Sequence, residues 1–537
     1  MIATSSRGLN SVPAGNRRVR ALTPSLISLL ALALVCIYYT FDALRAPFFG
    51  GGDLTSNLLP IIHFWRSIAI ERTLPWYTNL WYGGRYQWMN PLWSFFYIPS
   101  TVIWLLFPLD WAARIVIVGH FIGSTWAGRS LASLFLDSER DRFLAALLFA
   151  SPGVIGIVGG QLEKVLSWPW VLLGLRFLLD THAKELKTGF LSGLCLGVLA
   201  LTGAMYYLFY SIVLLGLITL SRRSGRLTAG FLGGSSIGLL HLPSVWYLVG
   251  SPRDPVGLSV SLSEAAQALF IGFRDQAMSW EKFAESFAVV GAPIALLLIW
   301  SLCCLPRAFW RRDSRIYFLA AAGFAAALFL LLATGVAYRG HHFLDTFRTT
   351  SRAMAFVAVV TLLGGLAFAR ELRAKGRVHR TILTISLALS AIQVVAVWGQ
   401  LRPAGLEYWI YSGADQVAQS LQSSGAKSVW IDVTNYRSSA GETGRLLGVA
   451  LNLRGIALPD WYYGNMGQST PLNGPFCGYP FDYLLSDQSF DLAQVVELAP
   501  NCYHCAGTIR LPRGALTLEG SYAVADRQYK VYRVVCA

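Results

Sequence analysis

The chain has 537 residues, of which 54% are apolar and 14% charged, and its formal net charge is +15. Soluble domains carry about 25% charged residues, so this composition excludes one large soluble enzyme and a disordered or collagen-like chain. Residues 1–400 hold 34 Lys and Arg against 18 Asp and Glu, whereas residues 401–537 hold 10 against 11. The positive surplus lies among apolar segments, which indicates cytoplasmic loops rather than nucleic-acid binding.

Apolar runs of about 20 residues can cross a bilayer, and short basic loops mark its cytoplasmic side. Residues 1–23 are basic and are predicted to form a cytoplasmic tail before an uncleaved anchor, since no cleavage signature follows the first apolar run. Placing each basic cluster inside predicts a polytopic α-helical membrane protein with about eleven transmembrane helices. The predicted spans are 24–42, 111–135, 143–159, 166–181, 188–204, 206–220, 228–248, 286–305, 315–336, 353–370 and 380–400.

Two segments shape this topology. Residues 92–107, at the end of the first extracytoplasmic loop (43–110), are apolar but are predicted to lie in or dip into the outer interface. Residues 188–220 are predicted to hold two short helices with a break near Thr202 and Gly203. An odd number of spans places the tail, residues 401–537, outside the cytoplasm.

The tail is predicted to be a soluble extracytoplasmic α/β domain. A helix containing Val417 and Leu421 precedes an apolar run at 428–433, and a second helix at 443–453 is capped by Gly455. Strand-like stretches follow at 482–486, 495–498, 522–525 and 529–534.

Cysteine placement supports an outside location for this tail. Four of the eight cysteines fall there, an even number that suits disulfides in an oxidising compartment. Cys502 and Cys505 enclose a histidine, so these two cysteines are also consistent with half of a zinc site. The disulfide candidates are Cys477, Cys502, Cys505 and Cys536.

The first extracytoplasmic loop holds candidate catalytic and binding residues. Asp53 follows three glycines, which allow the backbone to approach a ligand or a helix closely. Arg85 lies in an aromatic stretch whose candidate substrate-binding residues are Trp76, Tyr82, Trp88 and Asn90. The alternative interpretation is that Asp53 caps the next helix and that the aromatic residues form an interfacial belt.

Two later loops are predicted to face the same side. One places Glu163 at the outer end of a span, beside Lys164. The alternative to a functional role is that Glu163 and Lys164 form an exposed ion pair. The other concentrates histidines and arginines as candidate ligands of a donor phosphate, since arginine forks bind phosphate well. Its candidates are His341, His342, Arg348 and Arg352. Alternatively, the arginines anchor the loop at lipid headgroups, and the histidines are structural or bind a metal together with Asp345.

A carboxylate pair opposite an arginine cluster suits transfer from a lipid-linked phosphosugar. One carboxylate deprotonates the acceptor hydroxyl, and the arginines stabilise charge on the departing lipid phosphate. No Gly-x-Gly-x-x-Gly or Walker motif occurs in the sequence, so nothing indicates a nucleotide donor.

The order of these features resembles the GT-C class of integral-membrane glycosyltransferases that use polyprenyl-phosphate sugars. An aromatic residue and two glycines at 82–84 precede Asn-Pro-Leu at 90–92, and residues 347–352 are similar to the Phe-Arg-x-x-x-Arg passage of YfhO-like proteins. The aminoarabinose and protein mannosyl transferases are further relatives. The resemblance covers residues 24–400 in layout.

The resemblance implies an extracytoplasmic active site in a GT-C-like catalytic domain at residues 24–400. The acid of the family's first loop corresponds to Asp53 as candidate general base, and the acid of its second loop corresponds to Glu163. Many members carry two adjacent acids in the first loop, but here Leu54 follows Asp53. We therefore predict no metal and no other cofactor.

The sequence thus predicts a hexosyl- or pentosyltransferase of the bacterial plasma membrane, with a cytoplasmic amino terminus. Its partners would be membrane lipids, a polyprenyl-phosphate sugar donor and an envelope lipid, glycan or protein acceptor, with no nucleic acid. The alternatives are a lipid-linked glycan polymerase or ligase, and a flippase or transporter of envelope precursors. Transporters show duplicated halves and charges at the bilayer midplane, whereas here the polar residues gather at one face.

Overall fold

The structure is a computed structural model that describes residues 72, 77–78, 85–86, 97–107, 109–158, 162–180, 183–241, 259–271, 289–297, 299, 314–335, 350–374, 377–400, 408–432, 447–448, 450–451, 454–458, 481–498, 509–524 and 527–535. Twelve helices are numbered here within those residues. They are α1 Ile98–Leu106, α2 Leu109–Ala132, α3 Glu139–Val158, α4 Leu162–Leu179, α5 Glu185–Leu201, α6 Met205–Ser221, α7 Gly225–Ser235, α8 Leu262–Ala266, α9 Ser314–Ala333, α10 Met354–Ala374, α11 Arg377–Gln400 and α12 Tyr408–Ser423.

The helices of the bundle lie where the apolar runs predict them. α2 to α7 cover the predicted segments from 111 to 235, a 3-10 helix continues the last of them to His241, and α9 to α11 cover those from 315 to 400. The predicted break is present, because α5 ends at Leu201 and α6 begins at Met205, with Gly203 at a φ of 79°. With 17 residues each, α5 and α6 are about 26 Å long, slightly shorter than the roughly 30 Å of a bilayer core.

Two helices in the described part of the chain are long and apolar enough to cross a membrane. They are Thr350–Phe368, which is 89% buried, and Val378–Val397, which is 33% buried. The buried helix has the composition of any core helix, so the second is the informative one. Whether the other helices also span stays a prediction.

The surface of α11 indicates contact with lipid. Its large apolar side chains recur at intervals of three or four residues and so share one helix face. Their exposed fractions range from 42% to 70%, which would be an aggregation liability in water. These residues are Val378, Ile382, Ile385, Leu389 and Ile392.

Glycines bring α5 and α7 into backbone contact. A Cβ atom added at Gly193 or Gly234 would lie well under 3.0 Å from a backbone oxygen of the opposite helix. A Cβ atom added at Gly189 or Gly230 would lie equally close to a backbone oxygen of the opposite helix. Each helix therefore carries glycines at intervals of four residues on the face that it shares with the other. Small residues at this spacing allow two membrane helices to approach closely.

Aromatic rings fill the centre of the bundle where α4, α6, α9 and α10 meet. Ring centroids of neighbouring residues lie 5.4 to 6.2 Å apart, and all the rings are buried. This aromatic cluster consists of Trp168, Tyr207, Tyr210, Phe329 and Phe356. Because it lies near the first residues of α4, α6 and α10, it holds those helix starts together.

The carboxy-terminal residues form a mixed sheet in the order β3-β4-β8-β7, with β3 and β4 parallel. Separate two-stranded ladders join β1 to β2 and β5 to β6. α12 packs on β7, where the Ser420 and Tyr522 hydroxyls are 2.5 Å apart. The strands are β1 Tyr77–Thr78, β2 Arg85–Tyr86, β3 Val429–Asp432, β4 Tyr483–Ser486, β5 Val496–Leu498, β6 Ile509–Leu511, β7 Leu516–Val524 and β8 Arg527–Val534.

Asp432, at the end of β3, is expected to make this sheet sensitive to pH. Burial and the charge of Asp487 raise the pKa of its carboxyl group, while a 3.0 Å hydrogen bond donated by the Ser486 hydroxyl opposes the shift. A raised native pKa gives a stability contribution that is complete below the unfolded pKa, about 3.9, and is lost as pH rises through the native value. The charged carboxylate therefore costs stability at neutral pH.

We expect Asp432→Asn to protect the sheet at pH 7 and to differ less from wild type at pH 5. The amide oxygen still accepts from Ser486, while the buried charge is gone. Hydrogen exchange of β3 and β4 amides in the full-length protein in nanodiscs measures this. Asp491→Asn, at an exposed position, is the matched control; equal exchange in wild type and Asp432→Asn at pH 7 would contradict the prediction.

Candidate functional site

The first residues of α4, α6 and α10 lie at one end of the bundle. In α4, Glu163 precedes Trp168 of the aromatic cluster by five residues, and Arg352 precedes Phe356 by four. Tyr206 directly precedes Tyr207 of the same cluster. At about 1.5 Å per helical residue, these three side chains start within roughly two turns of the cluster. We call Glu163, Tyr206 and Arg352 the candidate site.

The guanidinium of Arg352 lies over an aromatic ring at this site. Its guanidinium carbon lies 4.2 Å from the centroid of the Tyr206 ring, within the range of a cation–π interaction. Both side chains are half-buried. The contact joins the start of α6 to the turn before α10, so two predicted spans meet through it.

The turn that carries Arg352 is anchored to the end of α9. It is a 3-10 turn, Thr350–Ala353, and the Thr350 hydroxyl donates to the Ala333 carbonyl at 3.1 Å. The backbone N–H of Val260 donates to the same carbonyl, also at 3.1 Å. The segment at 259–271 therefore lies beside the turn that carries Arg352, because both contact the Ala333 carbonyl.

Glu163 occupies the first turn of α4, where the helix dipole favours a carboxylate. It is half-buried, and the neighbouring Lys164 is only 2% exposed. An exposed Glu163–Lys164 ion pair, the alternative left open by the sequence, is therefore wrong.

Most of the predicted site residues lie outside the described residues. Of the candidates in the first loop, Arg85 is described as part of β2, where its backbone pairs with Thr78. The structure places Arg352 against Tyr206 and puts Glu163 in the first turn of α4. The predicted residues that lie outside the described part are Asp53, Trp76, Tyr82, Trp88, Asn90, His341, His342, Arg348, Cys477, Cys502, Cys505 and Cys536.

Within the part of the chain that the structure describes, no group of three His, Cys, Asp or Glu residues is placed to hold a metal ion. The metal-independent mechanism stays a prediction, because the loops with Asp53 and the two histidines lie outside that part.

Sequence reasoning missed a hydrogen-bonded group inside the bundle. The His120 Nε2 atom lies 2.6 Å from the Tyr97 hydroxyl. Trp170 Nε1 donates to that hydroxyl at 2.9 Å. His120 Nδ1 must donate to the Val116 carbonyl, 2.6 Å away, so neutral Nε2 accepts the Tyr97 proton. All three side chains therefore find partners.

The hydrogen-bonded group of Tyr97, His120 and Trp170 fixes the end of the first loop where the chain enters the bundle. Tyr97 immediately precedes α1, and His120 lies in the middle of α2, so α1 runs alongside α2. Residues 92–107 were predicted to lie in or dip into the interface, and the described helix of this segment is Ile98–Leu106. Tyr97 sets where the loop that contains Asp53 returns to the helices.

We expect Tyr97→Phe to lower the free energy of unfolding by about 1–3 kcal/mol, because the buried His120 nitrogen and the half-buried Trp170 nitrogen lose their partner. The thermal midpoint of the full-length protein in nanodiscs measures the effect. Adding His120→Leu removes the unsatisfied acceptor and should recover part of the loss. An unchanged midpoint in Tyr97→Phe would show that the hydroxyl contributes nothing.

No family model matches the chain, and no curated protein matches it in sequence. Solved structures do match. The arabinofuranosyltransferase AftD from Mycobacteria gives a TM-score of 0.52 at 16% identity, over 94% of this chain and 40% of AftD. The apo oligosaccharyltransferase of Archaeoglobus fulgidus gives 0.49 at 13% identity, over 88% of this chain and 70% of that one.

The likeness to AftD shows that the chain has a GT-C-like glycosyltransferase fold, as the resemblance predicts. At 16% identity it concerns the fold alone, and the chain spans 40% of the length of AftD. The roles of Asp53, Glu163 and the arginines therefore depend on the chemistry of this chain's own residues.

Proposed function

We propose that the protein transfers a sugar from a polyprenyl-phosphate donor to an extracytoplasmic lipid, glycan or protein acceptor. The observation that carries the proposal is Arg352, whose guanidinium stacks on Tyr206 at one end of a bundle with a GT-C-like fold. An arginine held there beside the membrane suits a ligand that is itself a lipid phosphate. Arg348, Arg85, His341 and His342 would complete the phosphate-binding group.

The proposed reaction needs a base and a stabilised leaving group. Asp53 takes the proton of the acceptor hydroxyl, and the hydroxyl oxygen attacks the anomeric carbon of the donor sugar. The bond from that carbon to the phosphate oxygen breaks, and its electron pair stays on the polyprenyl phosphate. Arg352 and Arg348 stabilise the resulting negative charge, and Glu163 positions the acceptor.

The proposed site faces the outside of the bacterial plasma membrane, where the lipid-linked donor and the envelope acceptor meet. This orientation is proposed from the basic loops, which predict that residues 1–23 lie in the cytoplasm and residues 401–537 outside. Trp76, Tyr82, Trp88 and Asn90 would contact the sugars. The carboxy-terminal α/β unit is proposed to bind the acceptor, and its four cysteines to form disulfides.

Purified full-length protein in liposomes, offered radiolabelled polyprenyl-phosphate pentose or hexose, tests the proposal. Transfer to an envelope extract, or hydrolysis of the donor, is the expected result. Redistribution of intact donor between leaflets, without loss of sugar, would instead indicate a flippase. Turnover only with polyprenyl-pyrophosphate donors would indicate a lipid-linked glycan polymerase or ligase.

A further inference from the structure

The contact between Tyr206 and Arg352 fixes the position of a cationic side chain as well as packing two helices together. We propose that Tyr206 is a positioning residue, which orients the Arg352 guanidinium so that its in-plane N–H groups bind two oxygens of one lipid phosphate. This inference rests on the proposed function, because it assigns the ligand of Arg352. The distance of 4.2 Å from the guanidinium carbon to the ring centroid is its starting point.

The shape of the guanidinium explains why a ring on one face would matter. All five N–H donors lie in the plane of the group and form a fork that matches phosphate geometry. Where the ring lies face to face with this plane, it blocks none of those donor directions, and the negative face of the ring also stabilises the cation. Tyr206 therefore restricts the plane of the fork without competing for its hydrogen bonds.

Both ends of the contact have a fixed backbone. Tyr206 is the second residue of α6 and is followed by Tyr207, which is buried in the aromatic cluster. On the other side, the Thr350 hydroxyl ties the Arg352 turn to Ala333. A binding group held in its final orientation before the ligand arrives loses less entropy on binding, so the stack would raise affinity by preorganisation.

Binding of unlabelled polyprenyl phosphate to the full-length protein in nanodiscs tests the inference, with uncharged polyprenol as the reference ligand. We expect Tyr206→Leu to weaken binding of the phosphate about 3- to 30-fold, the range of a partly desolvated cation–π contact. Binding of polyprenol should not change. Tyr206→Phe keeps the ring and is expected to restore the affinity. Phe209→Leu, which removes a half-buried ring from the same helix, is the matched control.

A double-mutant cycle separates positioning from stability. If Tyr206 acts through Arg352, then Tyr206→Leu should weaken binding no further once Arg352→Ala is present. Arg352→Lys should also lose affinity, because an ammonium is a point charge and cannot form the planar fork. Additive losses, or a lower thermal midpoint with unchanged phosphate affinity, would overturn the inference.

The outcomes also separate this inference from the proposed function. If wild type binds polyprenyl phosphate no better than polyprenol, the proposed function fails. If Arg352→Ala abolishes phosphate binding and Tyr206→Leu leaves it unchanged, the proposed function stands and the role of Tyr206 is wrong.

Discussion

Gly234→Leu is expected to prevent the bundle from folding. A side chain at this position would start well under 3.0 Å from the Phe190 carbonyl oxygen and Leu194 nitrogen, both backbone atoms of α5. Overpacking costs about 1–3 kcal/mol even where side chains can move aside. Here two helix backbones must separate, against a total stability of about 5–15 kcal/mol for a typical protein. We therefore expect loss of folded protein.

The yield of monodisperse full-length protein in detergent, measured by size-exclusion chromatography, checks this result. Gly233→Leu is the matched control, since Gly233 is the adjacent residue of the same helix and is exposed. A side chain at Gly233 would meet no atom within 4 Å, so this variant should fold like wild type. Equal yields from the two variants would mean that α5 and α7 do not pack at backbone contact.

Asp53→Asn is expected to lower sugar transfer by about 10²–10⁴-fold, the usual contribution of a general base. Asparagine keeps the size of the side chain but cannot accept the proton of the acceptor hydroxyl. Folding and binding of the donor should be unchanged, because the donor phosphate is assigned to the arginines. Initial rates with a radiolabelled polyprenyl-phosphate sugar, together with donor binding, give the comparison.

Asp42→Asn serves as the control for this variant, since Asp42 lies eleven residues earlier and has no assigned role. Near-normal turnover in Asp53→Asn would remove Asp53 from the mechanism. Loss of donor binding in the same variant would assign Asp53 to the binding of the donor rather than to proton transfer.

The sequence by itself indicated where most of the described bundle helices and four of the eight described strands lie. Basic clusters interrupt several of the apolar runs and so mark helix ends, and Thr202 and Gly203 mark the break between α5 and α6. In the tail, β3, β4, β5 and β8 lie at the predicted stretches, and Gly455 has the positive φ of a helix cap, 76°. β7 was predicted only at 522–525, although it begins at Leu516. β1, β2 and β6 were missed, because two or three residues carry too short a pattern.

Only the tertiary structure decided which of these elements meet. Periodicity reports one chain segment at a time, whereas the stack of Arg352 on Tyr206 joins residues 146 positions apart. The bond between Tyr97 and His120 likewise depends on how α1 lies against α2. The glycines of α5 and α7 are visible in the sequence. They allow backbone contact only because glycines of one helix lie opposite glycines of the other in the folded bundle. Such pairings depend on the relative placement of two helices, which no local pattern contains.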